Sequence, residues 1–172
     1  MEPFTNNEID VRELPKFETV TLQRLNAKYR RILALNCTVV LLIEIAILLI
    51  LTFKPEDLSI QDILFFWLGG ALLAFCIIGL TFLGFRKKGY AFRERDLIYQ
   101  YGVIATNTKI IPYNRVQHVA LHEGLIARYI GLAQVEIYTA GVHGGDIKIP
   151  GLLKEDAERI KQLLMGKIQK EL

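Results

Sequence analysis

Two long apolar runs dominate the first half of the chain. Residues 32–53 are interrupted by only a few polar side chains, and residues 63–85 carry no charge. At about 1.5 Å of rise per residue, each run would form a helix roughly 33 to 35 Å long, enough to cross a hydrocarbon core of about 30 Å. The pattern therefore predicts two transmembrane helices.

The segment between the runs, residues 54–62, is short enough to join only antiparallel neighbours. It holds one lysine and three acidic residues, whereas basic residues flank the outer ends of both runs. Because Lys and Arg accumulate on the cytoplasmic side of membrane helices, we expect both termini in the cytoplasm and the loop outside. The basic flanks, which we expect to contact anionic lipid, are Arg24, Lys28, Arg30, Arg31, Arg86, Lys87 and Lys88.

After the second run the pattern changes to short alternating stretches separated by turn signals. Six or so strands in about sixty residues, with no helix-length segment between them, favour an antiparallel sheet closed into a barrel or sandwich. From Leu153 onward apolar positions recur at helical spacing, which predicts one amphipathic helix packed on the strands. The predicted units are a cytoplasmic N-terminal segment (1–31), a transmembrane helical hairpin (32–85) and a β-rich domain (86–172).

Composition and charge exclude several classes of protein. A hydrophobic share of 52 % is too high for a disordered chain, which lacks the apolar surface to offset ordering entropy. A net charge of +3 is too small to indicate nucleic-acid binding, and we expect none. Cys37 and Cys76 both lie inside the apolar runs, so they indicate neither a disulfide framework nor a CxxC pair.

The residue pattern shows no constellation for catalysis or for a cofactor. Ser59, the only serine, lies in the loop between the runs. His118 and His122 could share a metal ion on a helix, but on a strand, which the pattern indicates, they would lie roughly 13 Å apart. Residues 141–145 are rich in glycine but lack the GK[ST] ending of a phosphate-binding loop, which favours a hairpin turn. We therefore expect no metal, no cofactor and no enzymatic activity.

Glu44 is the one acidic residue inside the apolar runs. It lies near the middle of the bilayer, where an ionised carboxylate facing lipid would cost at least ~2.5 kcal/mol, so it must be protonated, paired or turned toward protein. Two hypotheses stay open: a coupling or partner-recognition site, or a neutral acid hydrogen-bonded across a helix interface. Trp67, near the outer end of the second run, is typical of an interfacial anchor.

A polar motif stands out in the β-rich domain. It consists of Tyr113, Asn114, Arg115 and Gln117. One hypothesis is a local network that braces the sheet against the next strand. The other is an edge that binds a partner protein.

The order of short motifs resembles that of the YdbS-like bacterial membrane proteins, over about residues 24 to 172. The motifs lie at residues 111–119, 123–125, 128–133, 138–141 and 149–152. These proteins carry a bacterial pleckstrin-homology (PH) domain. The resemblance implies a PH-like fold, a strongly bent antiparallel β-barrel capped by a C-terminal helix, and a role as accessory partner of a larger membrane protein with the same domain.

Together these observations predict an α+β protein of the bacterial cytoplasmic membrane, a non-enzymatic module that contacts lipid and binds a protein partner or a second copy of itself. The alternatives are a transporter or channel subunit that uses Glu44, and a small integral-membrane enzyme. Other proteins of the PH fold bind inositol phosphates through basic residues of the first hairpin. Here the turn at residues 93–96 has no net charge, so phosphoinositide binding is not expected.

Overall fold

The computed structural model describes most of the chain. The described residues are 19–53, 59–140 and 146–171, with side chains described as far as residue 168. Most of the predicted N-terminal segment, the charged part of the loop between the apolar runs and the predicted turn at 141–145 lie outside these residues.

Two long helices form the first half of the fold, as predicted. They are α1 (Tyr29–Phe53) and α2 (Ile60–Lys87), each beginning three residues earlier than its apolar run. Both are long and apolar enough to cross a membrane, and most of their large apolar side chains are exposed. Ser59 begins α2 with a capping box, in which its hydroxyl accepts the Asp62 backbone N–H and the Asp62 carboxylate accepts the Ser59 backbone N–H.

Two antiparallel sheets and two further helices make up the rest of the described fold. The four-stranded sheet has the order β1 (Gln23–Arg24), β2 (Gly89–Phe92), β3 (Asp96–Tyr101) and β4 (Asn107–Pro112). The three-stranded sheet has the order β5 (Val116–His122), β6 (Leu132–Thr139) and β7 (Ile147–Leu153). A short helix α3 (Leu125–Tyr129) precedes β6, and the predicted amphipathic helix α4 (Lys154–Glu171) follows β7.

The hydrophobic core lies between the two sheets and α4. Val135 and Ile137, two positions apart on β6, are fully buried because alternate residues of a strand face the same side. Ala157 and Leu164 of α4 are also fully buried and lie on one face of that helix. Each fully buried aliphatic side chain of the size of Val or Leu contributes about 1.5–3 kcal/mol. The alternation along β6 and the helical spacing of apolar residues along α4 therefore predicted correctly which face of each element is buried.

The family resemblance implied one closed β-barrel, whereas the described strands form two antiparallel sheets. The strand ladders among the described residues do not close into one barrel. Pro112 is the last residue of the edge strand β4, a position that tolerates proline, which has no backbone N–H to donate to a ladder. A single turn of 3-10 helix, Tyr113–Arg115, then carries the chain to the second sheet.

A seam that the sequence analysis did not predict joins the N-terminal segment to both sheets. Gln23 and Arg24 pair with Tyr90 and Gly89 of β2, and the Asn26 backbone N–H donates to the Gly151 carbonyl of β7 at 2.9 Å. We call these contacts the N-terminal seam. Because α1 begins three residues after Asn26, the seam fixes the first helix directly to the β-rich domain.

Candidate functional site

Helix α1 brings Glu44 against α2 at a glycine. A Cβ atom on Gly70 would lie 3.0 Å from Glu44 Oε1 and 2.9 Å from Leu48 Cδ1, so only a residue without a side chain leaves room for the carboxyl group. Both carboxyl oxygens are buried, and within the described part of the chain neither has a hydrogen-bond partner. Glu44 therefore faces protein, and another helix can reach its carboxyl group only if α1 and α2 separate.

Trp67 joins the two long helices near the loop between them. Its indole Nε1 donates to Thr52 Oγ1 at 3.1 Å, and the Thr52 hydroxyl in turn donates to the Leu48 carbonyl at 2.8 Å. The expected role as an interfacial anchor stays a prediction. The link to α1 was not foreseen, because no local pattern relates residues on two different helices.

The 3-10 turn carries the polar motif, and Tyr113 is its buried member. Its hydroxyl donates to the Arg93 carbonyl at 2.7 Å, and its backbone N–H donates to the Arg95 carbonyl at 3.1 Å. Lys167 of α4 donates to the Glu94 carbonyl at 2.9 Å and lies 5.8 Å from the centre of the Tyr113 ring. Burial raises the pKa of the Tyr113 hydroxyl to about 12. Tyr113 thus ties the turn between β2 and β3 to the junction of the two sheets.

The other three residues of the motif point away from this network. Asn114, Arg115 and Gln117 are all exposed. In residues 19–53, 59–140 and 146–168, no side chain forms a hydrogen bond or ion pair with theirs. We call these three residues the polar corner. The motif therefore divides into one bracing tyrosine and three polar side chains that are open to other molecules.

The basic flanks of the two helices meet at one end of the hairpin. Arg24 Nη1 donates to the Arg86 carbonyl at 3.0 Å, which ties the segment before α1 to the end of α2. The exposed flanking residues are Arg24, Lys28, Arg30, Arg31, Arg86 and Lys87. Lys88 is instead half-buried, and burial lowers the pKa of its ammonium group.

A cavity of about 210 Å³ opens beside Lys88. Its lining includes Lys88, Tyr99, Tyr101, Lys109, Asp146 and Lys148. The rings of Tyr99 and Tyr101 stack with their centres 5.4 Å apart, and Lys109 Nζ donates to the Asp146 carbonyl at 3.2 Å. Burial, with smaller contributions from neighbouring tyrosines, raises the pKa of Tyr99 to about 12.

Both candidate histidines lie on strand β5, as their sequence context indicated. The His118 ring stacks on Tyr138 with ring centres 4.1 Å apart, and the Tyr138 hydroxyl donates to Glu136 at 2.6 Å. That hydrogen bond is the main cause of a lowered pKa at Glu136, with Lys148 adding to it. Among the described residues, no three His, Cys, Asp or Glu side chains come together in a way that could hold a metal ion.

Comparison with known protein families identifies the family to which this fold belongs. The family model described as the bacterial PH domain matches residues 32–168, which include most of α1, all of α2, the strands β2 to β7 and most of α4. The chain belongs to the bacterial PH domain family. The resemblance drawn from the short motifs is therefore confirmed.

A curated relative that is named as a transmembrane protein supports a membrane location. The bacterial PH domain protein described here is 33 % identical over 104 residues to the UPF0699 transmembrane protein YdbS of Bacillus subtilis (strain 168). The match covers 56 % of this chain and 63 % of the relative, so it spans less than two thirds of that protein. With the two apolar helices, the relationship makes this chain a membrane protein. No solved structure matches the chain.

In this bacterial PH domain we expect Tyr113→Phe to lower the free energy of unfolding by roughly 1 kcal/mol, because the carbonyl of the half-buried Arg93 loses its hydrogen-bond donor. The folded-state pKa of Tyr113, about 12, lies above the ordinary value of 10.0. The folded state thus holds the Tyr113 proton more tightly than the unfolded state does. The stability that the neutral hydroxyl contributes is therefore complete below pH 10 and is lost as the pH rises from 10 to 12.

Thermal unfolding of the full chain in detergent, recorded from pH 8 to pH 12, measures both effects. The variant should melt at a lower temperature at pH 8 and lose less stability than the wild type above pH 10. Tyr99→Phe serves as the control, because it removes the other strongly shifted tyrosine without removing the bond to Arg93. Identical curves for the Tyr113 variant and the wild type would contradict the bracing role.

Proposed function

We propose that the chain is a non-enzymatic module that anchors a PH-like domain to the cytoplasmic face of the bacterial inner membrane and presents it to a protein partner. The orientation follows from the basic flanks, which lie together at one end of the hairpin beside the β-rich domain. A larger membrane protein with the same domain is the class of partner that the family resemblance implies.

The polar corner is the observation that carries the proposal. Its three side chains are exposed and close together in sequence, and no described residue forms a hydrogen bond or ion pair with them, in contrast to the buried Tyr113. They follow directly on β4, an edge strand whose outer backbone groups can pair with an added peptide strand. Arg115 would pair with a carboxylate of the partner, and the two amides can bond to its backbone.

Site-specific photo-crosslinking in intact cells tests this proposal. A photoreactive side chain at Asn114 is expected to give a crosslinked adduct of discrete mass with a membrane protein. Adding Arg115→Glu should reduce the yield about tenfold or more, because loss of a charge-assisted hydrogen bond removes about 1.5 kcal/mol or more. Lys161→Glu, on the exposed surface of α4, is the matched control and should leave the yield unchanged.

Two outcomes would contradict the partner-binding role. One is the absence of a discrete adduct from both Asn114 and Gln117 in cells that contain the folded protein. The other is an adduct whose yield does not respond to Arg115→Glu. Turnover of any substrate by the purified chain would contradict the non-enzymatic part of the proposal.

The transport alternative depends on Glu44. A pore-lining carboxyl group must face a hydrated path, whereas both Glu44 oxygens are covered within the α1 and α2 pair. The proposal of an interaction module is therefore better supported by the geometry. Glu44→Gln separates the two functions, since loss of solute flux with an intact adduct at Asn114 would favour transport.

A further inference from the structure

The cavity beside Lys88 gathers cationic side chains from three separate parts of the chain. Lys88 follows α2, Lys109 lies on β4 and Lys148 lies on β7. We propose that this cavity binds a single phosphate group, supplied either by an anionic lipid headgroup or by a soluble phosphate ester. The proposal concerns a ligand site that is distinct from the polar corner, which lies at the other end of β4.

The position of the cavity brings it to the membrane surface. Lys88 directly follows the last residue of α2, and its backbone N–H donates to the Phe85 carbonyl at 3.3 Å. The turn between β3 and β4 also reaches α2, since a Cβ atom on Gly84 would lie 3.3 Å from Val103 Cγ2. Ile104, the next residue of that turn, is 94 % exposed. The end of the domain that holds the cavity therefore lies where lipid headgroups begin.

The charges in the cavity favour an anion. Among the described lining residues, three lysines face one carboxylate, Asp146, of which one oxygen already accepts the Thr139 backbone N–H at 3.1 Å. Lys148 pairs with Glu136 at 3.2 Å. Lys88 has no carboxylate within 4.0 Å among the described residues, although it is half-buried. An anion in the cavity would supply the counter-charge that Lys88 otherwise lacks.

Phosphate oxygens suit the donors that the cavity offers. Lysine ammonium groups are established phosphate ligands, and tyrosine hydroxyls can add a hydrogen bond to the same group. Burial lowers the pKa of Lys88, which is consistent with a charge that is only partly solvated. The ammonium group therefore gains more from a bound anion than a fully hydrated lysine would.

The volume of the cavity limits the size of the ligand. Sites that enclose drug-sized molecules measure roughly 300–1,000 Å³, whereas this cavity measures about 210 Å³. The space suits one phosphate group with a small polar substituent, such as the glycerol phosphate of phosphatidylglycerol. It is too small to enclose a nucleotide.

The test uses the full chain in uncharged detergent micelles, titrated with short-chain phosphatidylglycerol and followed by isothermal calorimetry. Parallel titrations use short-chain phosphatidylcholine, glycerol 3-phosphate and inorganic phosphate. We expect saturable binding of the anionic lipid and an affinity loss of roughly tenfold for Lys88→Gln, since one charge-assisted hydrogen bond is removed. Lys161→Gln, on the exposed surface of α4 outside both the cavity and the basic flanks, is the matched control and should change the affinity less than about twofold.

The titrations also distinguish the two sources of phosphate. Tight binding of phosphatidylglycerol with little binding of glycerol 3-phosphate identifies a lipid headgroup as the ligand. Equal binding of both, with the same loss in Lys88→Gln, identifies a soluble ester. Lys148→Gln tests the site from its β7 side and should weaken binding as well, which covers the case in which Lys88→Gln does not fold.

Several results would overturn the proposal. Equal binding of the choline lipid would show that the phosphate site does not select for anions. An equal loss in Lys161→Gln and Lys88→Gln would show that general surface charge, not the cavity, attracts the lipid. Absence of saturable binding by any of the phosphate probes to folded wild-type protein would also reject it.

Discussion

Gly151→Ala is expected to lower the free energy of unfolding by about 2–5 kcal/mol. Gly151 has a φ of +67°, a left-handed conformation that costs an L-residue about 1–2 kcal/mol. A Cβ atom there would lie 2.6 Å from Tyr29 Cγ, and overpacking of this kind costs typically 1–3 kcal/mol. The Tyr29 ring cannot simply turn away, because it also packs against Phe85 with ring centres 6.2 Å apart. The substitution therefore opens the N-terminal seam.

Urea unfolding of the full chain in micelles gives the change in stability, and hydrogen exchange of the Asn26 amide reports on the seam itself. Gly166→Ala is the matched control, because a Cβ atom there meets no atom within 4 Å. In the middle of α4 this change should stabilise the protein by up to about 1 kcal/mol. Equal free energies of unfolding and equal Asn26 exchange rates in Gly151→Ala and Gly166→Ala would contradict a steric clash between a side chain at position 151 and Tyr29.

Gly70→Val should weaken the packing of α1 on α2 by about 1–3 kcal/mol, because the new side chain would overlap with Leu48 and Glu44. Helices in lipid associate through close packing and not through the hydrophobic effect. Moving two helices apart by even the width of a methyl group therefore removes much of the contact between them. As the helices separate, the Glu44 carboxyl group loses the cover of α2. The variant is therefore expected to assemble abnormally or to be degraded in cells.

Steric trapping in bicelles, with one biotin label on each helix, measures the free energy of helix separation. The neighbouring residue supplies the control, since a Cβ atom on Gly69 meets nothing within 4 Å. Gly69→Val should therefore leave the helix pair intact. Equal weakening by both substitutions would contradict the packing of Glu44 against Gly70 and point to a general effect of a β-branched residue in α2.

Local patterns predicted most of the elements of this fold. The two apolar runs became α1 and α2, the short alternating stretches after them became antiparallel strands, and the amphipathic segment from Leu153 became α4. Strand β1 was missed because its two residues, Gln23 and Arg24, are polar and exposed and show no alternation. It pairs through backbone groups alone, which any side chain permits.

The candidate sites were only partly predictable for the same reason. The sequence singled out Glu44, but its environment depends on Gly70 in another helix. It also singled out the polar motif, yet only the structure separates the buried Tyr113 from the exposed polar corner. The lysine-lined cavity had no sequence signal, because its three lysines come from segments far apart along the chain.

Helix length and side-chain alternation are properties of neighbouring residues, so the order of residues was enough to predict two long apolar helices and a β-rich domain with a C-terminal helix. Which distant residues meet depends on how whole elements pack, as in the contacts of Asn26 with Gly151 and of Glu44 with Gly70, and no local pattern contains that information. Those contacts place a polar group inside the helix pair, an open polar corner on the domain and a cationic cavity at the membrane end.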